Sequence, residues 1–231
     1  MVSVWGLTDR GIIEDGDLAW GVVCDGMGGA KAGDIASKMA VETFCAHLEQ
    51  LRDLEGPPPA ADLLLAAAED ANRVVYLKAE TDRDCVGMGT TLVGMILRGT
   101  TLWVVNVGDS RAYHINGDGI VLITRDHSLV EDLVERGELT REQARTHPHK
   151  NLITRALGAE PVLLADCFRQ PLAQGDFLLL CSDGLSNLVT EQEMLYEVIH
   201  GGDSESCPQR LLDIALHRGA PDNVTAVLIR C

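Results

Sequence analysis

Three apolar runs of strand length each finish on an aspartate, and a fourth aspartate stands directly before another such run. Leu18-Ala19-Trp20-Gly21-Val22-Val23-Cys24 leads into Asp25-Gly26, and Thr101-Leu102-Trp103-Val104-Val105-Asn106-Val107 into Gly108-Asp109. Phe177-Leu178-Leu179-Leu180-Cys181 leads into Ser182-Asp183-Gly184, whereas Asp222-Asn223 precedes Val224-Thr225-Ala226-Val227-Leu228-Ile229. In an antiparallel sheet the start of one strand lies beside the end of its neighbour, so all four carboxylates can meet on one rim. A single Asp-Gly reads as a tight turn, because glycine takes positive φ and aspartate tolerates it. Four acids at matching ends exceed what turn chemistry requires. Like charges at close range need cations between them, and oxygen-only donors suit hard ions such as Mg²⁺ or Mn²⁺.

The 231 residues are expected to form one domain, 1–231, with 46% hydrophobic and 23% charged residues, a balance that argues against disorder. The longest apolar stretches, such as Leu63 to Ala68, fall far short of the roughly 18 residues that span a membrane. The opening Met1-Val2-Ser3-Val4-Trp5 has no basic region followed by an apolar core, so no secretory signal is expected. A formal net charge of −16 repels phosphate backbones and makes nucleic acid a poor partner. It repels phosphorylated substrates too, so bound cations must dominate the field at any site that takes them. Seven cysteines without C-x-x-C spacing read as small core residues in a reducing cytoplasm.

Helical spacing of Ile35, Met39, Ala40, Phe44 and Leu48 predicts a helix over Asp34 to Leu51, and the alanine- and leucine-rich stretch from Ala60 to Glu80 predicts a second. Thr190-x-x-Glu193 is a capping-box pattern, and Pro208 suits the first turn of a helix running to His217. Short turns at Arg98-Gly99-Thr100 and Asn116-Gly117-Asp118-Gly119 mark antiparallel hairpins. Helices grouped outside antiparallel strands give an α+β layered class. From Asp126 to Lys150 the strand pattern is interrupted by short polar helices, Ser128 to Arg136 and Thr140 to Arg145. Such a stretch is either a solvated connector or a functional loop.

The strings Asp25-Gly26-Met27-Gly28-Gly29, Gly108-Asp109-Ser110-Arg111-Ala112, Ser182-Asp183-Gly184-Leu185 and Pro221-Asp222-Asn223-Val224-Thr225 occur in this order. Together they resemble the PPM/PP2C family of metal-dependent protein serine/threonine phosphatases. Asn151-Leu152-Ile153-Thr154-Arg155-Ala156-Leu157-Gly158 resembles a signature of its bacterial branch. The resemblance covers nearly the whole chain. It implies a four-layer αββα sandwich with metals in the cleft at one end of the two sheets, and a flap at about 126–150. It implies hydrolysis of phosphoserine and phosphothreonine by a metal-activated water at a site of two or three Mn²⁺ or Mg²⁺ ions. Asp25 would bridge two ions and the Gly26 carbonyl would bind one, glycine leaving room for the cation. Asp183 and Asp222 would bind the metal on the other side, and Asp109 a third ion shared with Asp183. Asp25, Asp183 and Asp222 are thus the expected catalytic residues. Asn187 stands where animal members carry a further acid, which weakens the third site. Phosphorylated proteins and an opposing bacterial serine/threonine kinase are the implied partners, and the protein is expected to act as a monomer.

Position 27 is methionine where animal members place a histidine thought to act as general acid, and His127, His147 and His149 are the candidates nearest the flap. On polar segments such histidines are more often solvated. The opening Thr8-Asp9-Arg10-Gly11-Ile12-Ile13 is followed by Glu14-Asp15-Gly16-Asp17. One alignment makes Arg10 the phosphate-gripping arginine and Glu14-Asp15 the water-holding acids of the animal pattern. The other, which is favoured, keeps the bacterial opening and leaves that arginine and those acids absent, with a stretch missing between Ile13 and Glu14. Two rivals compete with the phosphatase reading. Gly26-Met27-Gly28-Gly29-Ala30-Lys31-Ala32-Gly33 is a glycine-rich turn such as cradles phosphates, but it lacks the Lys-Ser/Thr pair of a P-loop. A catalytically impaired regulatory or binding module would keep the fold and lose metal carboxylates, and this chain retains Asp25, Asp183 and Asp222.

Overall fold

A computed structural model describes residues 18–51 and 59–231. Arg10, Glu14 and Asp15, with the question of what lies between Ile13 and Glu14, fall outside the described residues. In chain order the elements begin with β1 (Leu18–Val23), β2 (Gly26–Met27), α1 (Ala30–Leu51) and α2 (Ala60–Thr81). A run of strands follows: β3 (Gly89–Thr90), β4 (Leu92–Arg98), β5 (Thr101–Val107), β6 (Arg111–Asn116) and β7 (Gly119–Leu122). After α3 (Leu129–Glu135) and α4 (Arg141–Arg145) come β8 (Asp166–Pro171) and β9 (Phe177–Cys181). The chain closes with α5 (Asp183–Ser186), α6 (Glu191–Ile199), α7 (Cys207–His217) and β10 (Ala226–Arg230).

Two antiparallel sheets result, one in the order β1-β4-β5-β8 and the other β10-β9-β6-β7. Side chains alternate across each strand, and the alternation builds three cores. From β4, Val93, Met95 and Leu97 point between the sheets, where they meet Leu178 and Leu180 of β9 and Val227 and Ile229 of β10. From the same strand Leu92 and Ile96 face outward onto α1 and α2, among Phe44, Leu48, Leu64 and Val75. On the far side Leu179, Cys181 and Tyr113 pack under Met194 and Val198 of α6 and Leu211 of α7. The layers are therefore helix, sheet, sheet, helix, as the α+β PP2C-like sandwich requires. Among the described residues no helix is long and apolar enough to cross a membrane.

The first helix begins at Ala30 rather than Asp34, the Gly33 amide donating to the Gly29 carbonyl at 2.8 Å. Its glycine-rich first turn reads locally as loop; packing makes it helix. A Cβ on Gly26 would stand 2.0 Å from the Gly33 carbonyl oxygen, so the helix rests directly on the backbone after β1. This close approach by itself requires glycine at position 26. The last strand begins at Ala226, two residues later than expected, because Thr225 is bound to Ser182 instead of to the ladder. Thr190 makes the expected capping box and Pro208 sits in the first turn of α7.

Candidate active site

Because β1 and β5 both run antiparallel to β4, their carboxyl ends share one edge, with Val23 opposite Val93 and Val107 opposite Leu92. In the other sheet Cys181 at the end of β9 pairs with Ala226 at the start of β10. Asp25 and Asp109 thus leave one sheet and Asp183 and Asp222 adjoin the other, all at the same end of the sandwich. Their fields confirm the proximity. Burial pushes Asp25 up to about 7, reinforced by the charges of Asp183 and Asp222. Burial likewise raises Asp109 to about 7, with Asp183, Asp126 and Asp25 adding to it. Asp183 is itself raised by burial and by Asp222.

Backbone and side-chain bonds fix the β1–β5 side of this cluster. Thr91 Oγ1 accepts from the Asp25 amide at 2.9 Å, and the Thr91 amide donates to the Asp25 carbonyl at 2.8 Å. Thr90 Oγ1 donates to the same carbonyl at 2.9 Å. Thr91 Oγ1 also bonds Ser110 Oγ at 2.7 Å, which ties the Asp25 turn to the Asp109 turn. Gly108 adopts φ +103°, and a Cβ there would lie 2.7 Å from the Thr91 methyl. On the other sheet the Ser182 amide donates to the Thr225 carbonyl at 3.1 Å, and Asn187 Nδ2 donates to Asp183 Oδ2 at 3.0 Å.

Arg111 donates through Nε and Nη2 to both oxygens of Asp126, at 2.9 and 2.7 Å, and through Nη1 to the Tyr113 hydroxyl at 3.2 Å. Burial opposes the charge on Arg111, but the Asp126 pair holds it protonated. Thr90, Thr91, Arg111 and Asp126 were not singled out by sequence reasoning as parts of the site. The only local signal for Arg111 was its place in Gly108-Asp109-Ser110-Arg111.

His127 is buried rather than solvated, and its ring is fully engaged. Nδ1 accepts from the Gly108 amide at 3.1 Å and Nε2 lies 3.1 Å from Asp166 Oδ2. Burial holds its pKa below the ordinary 6.5 in spite of Asp166. With both nitrogens committed it is a poor general acid. His147 and His149 stay on the arm after α4, their ring centroids 5.7 Å apart.

The segment Asn151 to Gly158 returns beside the cluster. Leu157 exchanges backbone bonds with Thr90 at 2.9 and 3.1 Å, and the Gly158 amide donates to Asn72 Oδ1 of α2 at 2.8 Å. It acts as a strap between α2 and the backbone beside Asp25.

The family model for protein phosphatase 2C matches residues 10–214 of this sequence. The chain belongs to the protein phosphatase 2C family. The serine/threonine phosphatase stp of Listeria innocua is 39% identical over 212 residues, covering 90% of this chain and 82% of its own. The solved structure of serine/threonine phosphatase Stp1 from Staphylococcus aureus superposes with TM-score 0.87 at 34% identity, covering 100% of this chain and 94% of that one. The catalytic domain of the serine/threonine phosphatase PstP, solved in complex with two manganese ions, gives TM-score 0.78 at 33% identity, with 98% and 96% covered. This PP2C member is accordingly a metal-dependent protein serine/threonine phosphatase of the bacterial branch.

The residues present fit hard divalent ions. Among the described residues no three Asp, Glu, His or Cys side chains close around one point as placed. Asp25 nevertheless stands close enough to Asp183 and Asp222 for their charges to add to the burial that raises it to about 7. A carboxyl raised that far by burial and neighbouring acids marks excess negative charge that a cation can offset.

Proposed function

We propose that this enzyme hydrolyses phosphoserine and phosphothreonine esters of cytoplasmic proteins with two Mn²⁺ or Mg²⁺ ions, opposing a serine/threonine kinase. Asp25, the Gly26 carbonyl, Asp183 and Asp222 would hold the two ions, and Asp109 with Asp183 a third. Such ions supply the positive charge that makes water nucleophilic at neutral pH and offsets the charge of the transferring phosphoryl group. The carrying observation is the convergence of Asp25, Asp109, Asp183 and Asp222 at one end of the two sheets, with Asp25 raised to about 7 by burial and by the charges of Asp183 and Asp222. The two manganese ions of the PstP relative support the same count.

The chain's own part is positioning. Thr90 and Thr91 fix the backbone of Asp25, Ser110 joins it to the Asp109 turn, and Asn187 orients Asp183. The whole of 1–231 would work as one phosphatase domain. Within it 126–150, carrying α3 and α4, would be a flap that docks protein substrates beside the acids. The absence of histidine at position 27 leaves the leaving-group proton to water or to the arm bearing His147 and His149.

Hydrolysis of an aryl phosphate and of a phosphothreonine peptide, with Mn²⁺ and with excess chelator, tests this reading. Both activities are expected with metal and neither with chelator. Metal binding without turnover of either substrate would favour the impaired binding module. Shortening the flap should lower kcat/KM for the peptide well beyond its effect on the aryl phosphate, and equal losses would make 126–150 a structural connector.

A further inference from the structure

Gly108 is held from both faces by one side chain and its own backbone. The His127 amide donates to the Gly108 carbonyl at 2.9 Å while His127 Nδ1 accepts from the Gly108 amide at 3.1 Å. Asn106 Nδ2 reaches the same carbonyl at 3.3 Å and the Arg125 carbonyl at 2.8 Å. Nε2 lies 3.1 Å from Asp166 Oδ2 and 3.2 Å from Arg155 Nη1, so it faces both members of the Asp166–Arg155 pair. Arg155 Nη1 donates to the other oxygen of Asp166 at 2.9 Å. The Thr154 amide, one residue before, donates to the His127 carbonyl at 2.8 Å. His127 is thus the point where three chain segments meet: the turn presenting Asp109, the returning strap with Thr154 and Arg155, and the start of β8 with Asp166.

We propose that His127 is a positioning residue of the phosphatase reaction, setting the Asp109 turn through Gly108 and coupling it through Asp166 and Arg155 to the strap. A buried, uncharged imidazole whose two nitrogens do different work cannot be replaced by a residue that merely fills its volume. The geometry separates the two jobs. Asparagine at 127 can present Oδ1 where Nδ1 stood and keep the Gly108 bond while losing Asp166. Alanine loses both. Asp166→Asn leaves the Gly108 clamp and weakens only the link to the strap.

The consequence for metal dependence rests on the reading of Asp109 as an ion ligand, so the test has one arm that does not. In metal-free protein, amide exchange at Gly108 should quicken by at least about tenfold in His127→Ala and stay near wild type in His127→Asn and Asp166→Asn. In the active enzyme, the Mn²⁺ concentration for half-maximal aryl phosphate hydrolysis should rise by about tenfold or more in His127→Ala. His127→Asn should recover most of that shift, and Asp166→Asn should show a smaller one. Unchanged Gly108 exchange in His127→Ala overturns the clamp. Quickened exchange with wild-type Mn²⁺ dependence overturns the coupling to the reaction, and a fall in melting temperature alone does the same. His127→Asn behaving like His127→Ala overturns the assignment of Nδ1. A wild type indifferent to manganese would instead sink the proposed function, and exchange at Gly108 would show separately whether the clamp stands.

Discussion

The rims of the two sheets hold their aspartates in opposite ways. On the β1–β5 rim Asp25 is bound through its backbone by Thr90 and Thr91, and the Asp109 turn is gripped by Ser110 and His127. On the β9–β10 rim Asp183 is steadied by an exposed asparagine, and the exposed Asp222 accepts its neighbour's amide, from Asn223 at 2.8 Å. One rim is built into the core and the other stands open. Buried donors fix where charge collects, whereas the exposed Asp222 lets solvent, ions and substrate reach it. The contrast gives the two rims separate sensitivities to mutation.

The largest expected effect lies on the open rim. Asp183→Asn and Asp222→Asn should each lower kcat by about a hundredfold or more, since charge directed at the reacting group is lost. Neither should lower the melting temperature of the metal-free protein, because Asp183 is held above its ordinary pKa by burial and Asp222. Turnover near wild type at saturating Mn²⁺ would reduce that aspartate to a turn residue.

Gly26→Ala probes the built rim. The added methyl meets the Gly33 carbonyl, so α1 must shift, at a cost of about 1–3 kcal/mol in chemical denaturation. An unchanged denaturation midpoint would mean that α1 does not rest on this turn.

A finer comparison sets Thr91→Val against Asn187→Ala. The first strands the buried Asp25 amide and should cost about 1–3 kcal/mol. The second removes an exposed bond and should cost less than about 0.5 kcal/mol. Equal costs would erase the distinction between the rims.

The last comparison is a pH slope. Asp109 titrates near 7 in the folded protein against an ordinary 3.8, so between these values the native state binds the extra proton. Stability then falls as pH rises through that window. Relative to Asp109→Asn, the metal-free wild type should lose stability from pH 4 to 7, and added Mn²⁺ should flatten the difference. Parallel curves for the two proteins would show that Asp109 carries no raised pKa.

Much of this was legible in the sequence. Strand length, alternation and the aspartates at strand ends already implied antiparallel strands with acids at one end, since period-2 burial and strand direction follow from local pattern, while the two-sheet sandwich was implied only by the family resemblance. Thr190 and Pro208 announced their helix starts because capping is a matter of three or four neighbouring residues. Local pattern failed where a distant partner decides. The first turn of α1 reads as loop until Gly26 lies beneath Gly33, and the start of β10 depends on Ser182, more than forty positions away.

The same division runs through the site. Asp25, Asp109, Asp183 and Asp222 stand out in the chain because a charged residue at the end of an apolar run is conspicuous there. Thr91 and Asp126 do not, and His127 stood out only as a candidate acid, for they are ordinary polar residues on polar or mixed segments. Their roles arise from bonds to residues 66, 15 and 19 positions away. Sequence alone determined which residues carry charge and where strands end, because those properties belong to single residues and short runs. Only the tertiary structure decided which carboxylates are buried and raised and which polar groups hold them, because burial and hydrogen-bond geometry depend on partners that the chain brings together only by folding.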